Sequence, residues 1–373
     1  MEDIPKNIAI IYDRVNKWGG AERVLLALHE IFPESPLFTA VYNPESAGWA
    51  KIFPQVIPSF LQKFPYAKSH HELYPWLAPL AFESFNFNQY DAVISVTSAD
   101  AKGIVTQPKT FHLCYCLTPT RYLWSHENLY RSRLDPATRY VTIPLFNYLK
   151  SWDFIASHRP DSYLTISSAV QTRISEYYSR DSRVVYPPVD TEFFAQDAPR
   201  PELSDYFLWV GRLVFHKGLE LIIRVFNEIN LPLVIIGTGS QEERLKNISG
   251  KNISFLGFIE DQHLVSYYRH SRAVLYFHEE DFGIVPVEAM AAGRPVIGLR
   301  KGGLEETVIH GLTGHLIDQS TPQALKDALL SFNHLAYDSK TISTHAQKFS
   351  KEHFKEEFVK VFKQEQAIYR SKS

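Results

Sequence analysis

The segment that starts at His278 combines acidic side chains with a helix start, a pairing suited to an anionic ligand that carries hydroxyl groups. It reads HEEDFGIVPVEAMAAGRPVI, and its acidic run 279–281 follows the apolar run AVLYF, so the acids stand where a strand ends. Pro286 suits the first turn of a helix, Glu288 falls inside that helix, and Gly293 suits its end. Free backbone N–H groups at such a helix start attract phosphate. A phosphate held among carboxylates predicts a ligand such as a sugar nucleotide.

A second loop carries two cations. The stretch VGRLVFHKG follows the apolar run YFLWV, and Arg212 and Lys217 lie five residues apart on it. Arg binds phosphate bidentately and Lys acts as a point charge, so the two could converge on a diphosphate. A solvated basic loop is the alternative for this stretch alone. The combination with the acidic segment favours the ligand-binding interpretation.

A third loop is rich in glycine. It reads WGGAE and follows the first apolar run, NIAIIYD, after the four residues RVNK. Gly19 and Gly20 permit a close backbone approach, and the helix predicted from about Ala21 offers N–H groups to a phosphate. A tight turn without a ligand is the alternative.

Length and composition limit the classes of protein to consider. A chain of 373 residues exceeds the size at which one core usually divides, so two domains are expected. The net charge of −2 gives no overall attraction to nucleic acid. Cys114 and Cys116 have no second pair with which to form a zinc site, so buried thiols are expected. The acidic start is unlike a signal peptide, and no apolar run is long enough to span a bilayer, so a cytoplasmic location is expected.

The order of apolar runs predicts two parallel α/β domains. Strand-like runs alternate with helix-length segments in both halves, and ligands of such sheets bind at the carboxyl ends of the strands. The predicted first domain covers 1–187, and the proline-containing stretch 188–203 is a predicted linker. The second domain covers 204–350. An amphipathic helix over 351–373 carries Phe354, Phe358 and Phe362 at helical spacing, so it should pack on a neighbour, the first domain being the candidate.

At this point the motifs resemble a known family, the retaining nucleotide-sugar glycosyltransferases of family 4 with the GT-B fold. That fold implies two Rossmann-like domains facing each other across a cleft, of which the first binds the acceptor and the second binds the nucleotide sugar. The resemblance is strong over the second half and looser over the first, and its pattern is most like bacterial mannosyltransferases of surface-polysaccharide assembly. The matching stretches are GGAE (19–22), VGRLVFHKG (210–218), GTGSQEERL (237–245), FLGF (255–258) and EEDFGIVPVEAMAAGRPVI (279–297), continued by KGGLEETV and GLTGHLID.

The resemblance implies roles for individual residues. Arg212 and Lys217 would hold the donor diphosphate, Glu280 would contact the donor sugar, and Glu288 would contact the ribose; Arg212, Lys217 and Glu280 form the implied catalytic set. Phe258 would lie near the base. The remaining implied donor-binding positions are Gly19, Gly20 and the backbone amides of Phe282, Gly283 and Ile284. No metal and no cofactor is implied, because Arg, Lys and amides neutralise the departing diphosphate.

The expected reaction is transfer of a hexosyl unit, with mannosyl the first candidate, from a nucleoside-diphosphate sugar to a saccharide or lipid-linked saccharide. GDP-mannose is the first donor to consider, and a UDP-sugar the next. One position departs from the family, because Leu117 in YCLTPTRYLW stands where the family has a histidine beside the reacting sugar. His112 and His126 are near in sequence, but His112 cannot simply substitute, whereas Arg121 could take over the role. A non-catalytic sugar-nucleotide-binding subunit and a sugar-nucleotide epimerase are the alternatives.

The segment 58–85 mixes aromatic and basic side chains. It contains Phe60, Phe64, Tyr66 and Trp76, with Lys63, Lys68, His70 and His71 among them. Such a composition suits the interface of an anionic bilayer. A helical insertion that packs on its own domain is the alternative. Peripheral contact with the cytoplasmic face of the membrane therefore stands as a hypothesis, and nucleic acid is not an expected partner.

Overall fold

Short runs rich in Ile, Val and Phe form a first sheet in which the central strands are wholly buried. The structure, a computed structural model, describes residues 5–132 and 135–372. The strands of this sheet are β1 (Ile8–Tyr12), β2 (Leu37–Thr39), β3 (Val56–Pro58), β4 (Ala92–Thr97), β5 (Phe111–Cys116), β6 (Ser162–Thr165) and β7 (Arg183–Val184). They are parallel and lie in the order β3-β2-β1-β4-β5-β6-β7. Every residue of β1, β4 and β5 is buried, as expected for strands covered on both faces.

Helices or 3₁₀ turns lie in the crossovers between these strands, since parallel strands cannot be joined by tight turns. The helices of the first half are α1 (Gly20–Ile31), α2 (Ala78–Glu83), α3 (Glu127–Ser132), α4 (Pro136–Val141), α5 (Ile143–Ala156) and α6 (Ser168–Tyr178). Between β3 and α2 the chain forms short 3₁₀ turns.

The second half builds another parallel sheet with the same winding. A short helix, α7 (Thr191–Phe194), precedes it. Its strands are β8 (Phe207–Val210), β9 (Leu233–Ile236), β10 (Ile253–Phe255), β11 (Val274–Tyr276), β12 (Val296–Leu299) and β13 (Gly314–Ile317), in the order β10-β9-β8-β11-β12-β13. The helices are α8 (Leu219–Ile229), α9 (Glu242–Asn247), α10 (Asp261–His270), α11 (Ile284–Ala291), α12 (Leu304–Thr307), α13 (Pro322–Ser331) and α14 (Ser339–Ala346).

In both sheets the strand order reverses direction beside the first strand. The chain adds two strands on one side, then crosses back to place the next strand on the other, so β1 neighbours β4 and β8 neighbours β11. At such a switch point the two connecting helices leave toward opposite faces, which opens a crevice beyond the carboxyl ends of the two strands. The loops after β1, β4, β8 and β11 are therefore the places to look for ligand-binding residues.

The chain divides into two compact units, and its last helix belongs to the first of them. One unit comprises residues 1–187 with 354–373, and the other comprises 188–353. The last helix, α15 (Lys351–Lys372), buries Phe354, Phe358 and Phe362. Phe358 lies with its ring centroid 6.1 Å from Tyr115. The predicted two α/β domains and the return of the terminal helix to the first of them are confirmed.

The stretch 188–203 lies within the second unit rather than between the two units. Val189 donates its N–H to the carbonyl of Phe349 at 3.0 Å. The ring of Phe194, in α7, packs 5.6 Å from that of Tyr268. The prolines that suggested a linker restrict the backbone, but they leave neighbouring apolar side chains free to pack.

No helix within the described residues is both long and apolar enough to cross a membrane.

Candidate functional site

The loops that follow β8 and β11 bring a lysine and a glutamate together at the switch point of the second sheet. Lys217 ends a 3₁₀ turn, Phe215–Lys217, and Glu280 lies four residues beyond Tyr276, the last residue of β11. The Lys217 ammonium donates to Glu280 Oε1 at 2.5 Å. These two residues were predicted to act on one ligand from separate loops, and the fold places them in direct contact.

Two further side chains complete the surroundings of this pair. Tyr276 donates its hydroxyl to Glu280 Oε2 at 2.7 Å. His278 Nε2 lies 3.1 Å from the Lys217 ammonium, and its ring packs 4.2 Å from that of Tyr276. Burial alone would raise the pKa of the Glu280 carboxyl, but Lys217, His278 and the Tyr276 hydroxyl together lower the pKa to about 2. Glu280 is therefore an anion at neutral pH, held at both oxygens.

The ammonium of Lys217 retains capacity for a ligand. It has three donor hydrogens, and Glu280 and His278 take two of its positions. Among the described residues nothing takes the third position, which is left for a phosphate oxygen, and the side chain is only 12% exposed, so its charge is weakly screened. A bound diphosphate would therefore share this cation with Glu280.

Arg212, the other cation predicted to bind the diphosphate, has different surroundings from those of Lys217. It lies just beyond β8 and is exposed, and among the described residues it has no ion-pair partner. Its guanidinium is free to bind an anion bidentately without first breaking a bond within the protein. The two cations predicted to bind the diphosphate therefore differ. Lys217 is already paired with Glu280, whereas Arg212 is not paired with an acidic side chain of the described residues.

The helix that follows Glu280 starts as the sequence predicted. Gly283 precedes α11 with φ +90°, a left-handed conformation that favours glycine. Phe282 is buried and packs 5.6 Å from Phe349, which anchors the loop. The amides of Gly283 and Ile284 lie at the N-terminus of this eight-residue helix. Gly293 follows its end with φ +74°, also as predicted.

A glycine pair supports the acidic loop from beneath. Gly303 donates its N–H to the carbonyl of Glu280 at 2.9 Å. Gly302 has φ +60°, and a Cβ there would collide with the carbonyl oxygen of Glu280. The motif KGG is therefore needed for the close approach that fixes the position of Glu280.

Glu288 and Phe258 lie in very different surroundings. Glu288 is 3% exposed within α11, and its Oε2 accepts a hydrogen bond from Tyr268 at 2.8 Å. Phe258, beyond β10, is 77% exposed. The ribose contact of Glu288 and the base contact of Phe258 both remain predictions.

In the first unit, the glycine loop leads into a helix whose first turn holds a buried acid. The helix α1 starts at Gly20, after Gly19 in an extended conformation. Glu22 is buried and accepts a hydrogen bond from the Tyr12 hydroxyl at 2.8 Å. Burial and the charge of Glu22 raise the pKa of Tyr12 well above its usual range. Phosphate binding at Gly19 and Gly20 stays a prediction.

The departure at Leu117 falls at the carboxyl end of β5. Leu117 is half-buried and donates its N–H to the carbonyl of Thr97 at 2.8 Å. His112 is fully buried inside the same strand, where its Nε2 lies 2.8 Å from Ser95 Oγ, and burial lowers its pKa to about 3. Because His112 is enclosed in the sheet, it cannot take the place of an imidazole at Leu117.

Sequence analysis missed Tyr276, His278 and Tyr268 as members of the site. Tyr276 and His278 lie two residues apart in an extended segment, so they point to the same side as the strand ends. That alternation, next to the acidic run, was the available signal. Tyr268 comes from a different helix, α10, and only the tertiary structure brings it to Glu288.

No group of three or more His, Cys, Asp or Glu side chains in the described parts of the chain could hold a metal ion. Metal independence of the reaction remains a prediction.

Comparison with known proteins agrees with the fold. Residues 190–349 match the model of the family described as Glycosyl transferases group 1, which covers less than half of the chain. The structure of Anabaena Alr3699/HepE in complex with UDP-glucose superimposes with a TM-score of 0.69 at 17% identity, covering 95% of this chain and 99% of that one. The fold is therefore that of GT-B glycosyltransferases, two parallel-sheet α/β domains.

Two curated relatives match at the level of sequence. The uncharacterized glycosyltransferase MJ1178 of Methanocaldococcus jannaschii is 29% identical over 201 residues, which are 52% of this chain and 56% of the relative. The D-rhamnosyltransferase WbpZ of Pseudomonas aeruginosa is 27% identical over 197 residues, 49% of this chain and 50% of the relative. The chain thus spans about half the length of the curated relatives it matches.

Proposed function

We propose that this protein is a retaining, metal-independent glycosyltransferase. It would move a hexosyl unit from a nucleoside-diphosphate sugar to a saccharide or lipid-linked saccharide acceptor. The observation that carries the proposal is the contact between Lys217 and Glu280 at the switch point of the second sheet, beside the N-terminus of α11. The match of residues 190–349 to the group 1 glycosyltransferases supports it.

The basic and the acidic groups of the site would have different roles. Lys217, Arg212 and the helix N-terminus would bind the diphosphate and stabilise the negative charge that it gains on departure. Glu280, kept anionic by its neighbours, would accept hydrogen bonds from sugar hydroxyls and offset the positive charge that develops at the anomeric carbon. Lys217 connects the groups for the diphosphate with the group for the sugar, because it contacts Glu280 and has one donor position left for a phosphate oxygen.

GDP-mannose is the first donor to test. A UDP-sugar is the second, and the UDP-glucose complex of the structurally similar HepE supports including it. Thermal shift with GDP, UDP, GDP-mannose and UDP-glucose should show stabilisation by one nucleotide series, since a ligand at about 100 times its Kd adds about 2.7 kcal/mol. Lys217→Ala should abolish the shift. Lys246→Ala is the matched control, because Lys246 pairs with Glu242 on α9 and belongs to a separate ion pair.

Separate measurements of binding, donor hydrolysis and transfer distinguish the proposal from its alternatives. A non-catalytic binding subunit, suggested by Leu117, would bind a nucleotide sugar without hydrolysing or transferring it. An epimerase would convert the nucleotide sugar in the absence of any acceptor. Donor hydrolysis or transfer without epimerisation supports the proposed activity.

The segment 58–85 is proposed as a contact with the cytoplasmic face of a membrane. Tyr66 is 77% exposed, Trp76 47% and Phe64 38%, with Lys63 and Lys68 also exposed. Aromatic rings at the headgroup level and lysines facing anionic lipids suit such a contact. Co-sedimentation with phosphatidylglycerol vesicles should exceed that with phosphatidylcholine vesicles, and Tyr66→Ser with Trp76→Ser should reduce it. Equal binding to both lipids, or no effect of the substitutions, contradicts the proposal.

A further inference from the structure

The amino ends of the strands in the second sheet carry two arginines side by side. Arg272 lies two residues before β11, and Arg294 lies two residues before β12. In these parallel neighbours Val274 is paired with Val296, and Val274 donates its N–H to the carbonyl of Pro295 at 3.0 Å. Two residues back from that pair, the backbones at Arg272 and Arg294 are therefore adjacent, because neighbouring strands lie about 4.8 Å apart.

A third strand and a nearby turn complete the surroundings of this arginine pair. Arg272 donates its backbone N–H at 2.8 Å to the carbonyl of Tyr206, the residue before β8. Its guanidinium lies over the ring of Phe207, 5.0 Å from the ring centre. The same ring packs 6.3 Å from that of Phe332, two residues before His334. His334 therefore belongs to the same region of the second unit.

Neither guanidinium is neutralised by a close acid of the described residues. Asp205 Oδ1 lies 3.6 Å from Arg272 Nε, which is beyond hydrogen-bonding distance, and Asp205 is 70% exposed, so this ion pair is weak. Within residues 5–132 and 135–372, Arg294 has no ion-pair partner. The Nε atoms of both arginines are buried without a hydrogen-bond partner there, although each side chain as a whole is half-buried. Little therefore offsets the mutual repulsion of the two cations.

The other charged neighbours do not change this balance. Arg269 donates to Asp197 at 2.7 Å, but Asp197 is 97% exposed and its charge is screened by solvent. Burial lowers the pKa of Arg294 below its usual range, and the charge of Arg269 lowers it further, against the opposing effect of Tyr206. A cation whose pKa is lowered is less favourably charged in the folded protein than in water. A bound anion would offset this unfavourable charge.

We propose that Arg272 and Arg294 form a binding site for a phosphate dianion, either free or as the phosphate group of a monoester. The terminal guanidinium nitrogens would donate to its oxygens, since guanidinium groups match phosphate in geometry. A dianion suits the pair better than a monoanion because each arginine carries one full charge. The site lies at the amino edge of the second sheet, whereas the donor loops lie at the carboxyl edge. It is therefore separate from the proposed transferase site and does not rest on that function.

Melting temperatures in sodium phosphate and in sodium chloride of equal ionic strength test the proposal. The measurements use the Lys217→Ala protein at about pH 8, where phosphate groups are dianionic, because the donor site could also hold phosphate. Phosphate should stabilise this protein more than chloride does, by binding the folded state. Glycerol 3-phosphate distinguishes the two sources. Stabilisation by it as well assigns the site to monoesters, and stabilisation by inorganic phosphate alone assigns it to the free anion.

Two substitutions at Arg294 separate charge from geometry. Arg294→Gln should weaken phosphate affinity, obtained from the concentration dependence of the melting temperature, by about 10- to 100-fold. Arg294→Lys keeps the charge but loses the planar fork, so its affinity should be intermediate. In the absence of phosphate, Arg294→Gln should melt no lower than its parent, because it removes a cation without a counter-ion. Arg244→Gln is the matched control, since Arg244 is paired with Glu220 at 2.7 Å and its loss should leave phosphate binding unchanged.

The imidazole of His334 reports on the site locally. Its pKa is lowered first by burial and then by the charge of Arg272; Arg294 lowers it further, and Asp205 opposes them. A bound dianion favours the protonated imidazole, so phosphate should raise this pKa, followed through the ring NMR signals that are absent in His334→Gln. Stabilisation by phosphate no greater than that by chloride overturns the proposal. So does a phosphate affinity unchanged in both Arg294→Gln and Arg272→Gln, or a pKa of His334 that phosphate leaves unchanged.

Discussion

Replacement of Glu280 by glutamine tests the electrostatics of the donor site most directly. Glu280→Gln preserves the size of the side chain and one acceptor oxygen but removes the negative charge. Lys217 then keeps His278 as a neighbour and loses its anionic partner. Tyr276 can still donate to the amide oxygen. The change therefore isolates the contribution of the charge from that of packing.

The expected loss of stability follows from the pKa of Glu280. A fall from the ordinary value of 4.5 to about 2 corresponds to about 3 kcal/mol in favour of the ionised folded state. Because the side chain is 27% exposed, this is an upper limit, and we expect about 1–3 kcal/mol at pH 7. The folded pKa is depressed, so this stability is present above pH 4.5 and is lost progressively as the pH falls toward 2.

Urea denaturation of both proteins between pH 7 and pH 3, followed by tryptophan fluorescence, measures this difference. The wild type should be the more stable at pH 7, and the gap should narrow below pH 4.5. Tyr276→Phe serves as a control, because it removes one hydrogen bond to the carboxylate, worth about 1.5–3 kcal/mol, without removing a charge, so its effect should depend less on pH. A gap that is absent at pH 7, or constant down to pH 3, would refute the assigned electrostatics.

The same variant should be a poor catalyst. If Glu280 offsets charge that develops only in the transition state, turnover should fall by more than donor affinity does. A variant that binds donor weakly but turns over normally would instead assign Glu280 a role in ground-state binding.

Four further expectations follow from the structure. Arg212→Ala should slow transfer by an amount equivalent to about 2–4 kcal/mol without lowering the melting temperature, because its guanidinium is exposed; near wild-type turnover would mean the clamp is misassigned. Glu288→Gln should reduce nucleotide affinity more than turnover, measured by donor titration and initial rates, and the reverse pattern would exchange its role with that of Glu280. Leu117→His should lower transfer, because we expect leucine itself to shape the working site, and a half-buried imidazole without a partner should cost about 1–3 kcal/mol of stability; a rise in transfer with unchanged melting would show that the absent imidazole limits the wild type. Phe358→Ala should destabilise the first unit by about 3–5 kcal/mol in denaturation, because its fully buried ring packs against Tyr115, and a loss below 1 kcal/mol would contradict that packing.

The spacing of apolar residues and the positions of glycine determine most of the architecture. The central strands are continuous apolar runs such as FHLCYC, and buried parallel strands have this composition because both of their faces are covered. Two further features were predicted from the sequence because they depend on local geometry alone. One is the glycine after the acidic loop, and the other is the helical spacing of Phe354, Phe358 and Phe362. The edge strands β3 and β13 escaped prediction. Their sequences, VIP and GHLI, are interrupted by proline or by glycine and histidine, so neither forms a continuous apolar run.

The sequence alone predicted which loops carry the charged residues of the site, but it did not predict which of these residues contact each other. Lys217 and Glu280 are separated by 63 positions, and they meet because β8 and β11 are neighbours at the switch point of the sheet. The same topology brings Asp13, just beyond β1, into hydrogen bonds with Thr97 and Ser98 at the end of β4. Local sequence specifies which groups a loop carries. Strand order decides which loops lie side by side. Burial where those loops meet then sets the pKa values of their side chains. Strand order and burial both depend on residues that are far apart in the sequence, so only the tertiary structure shows them.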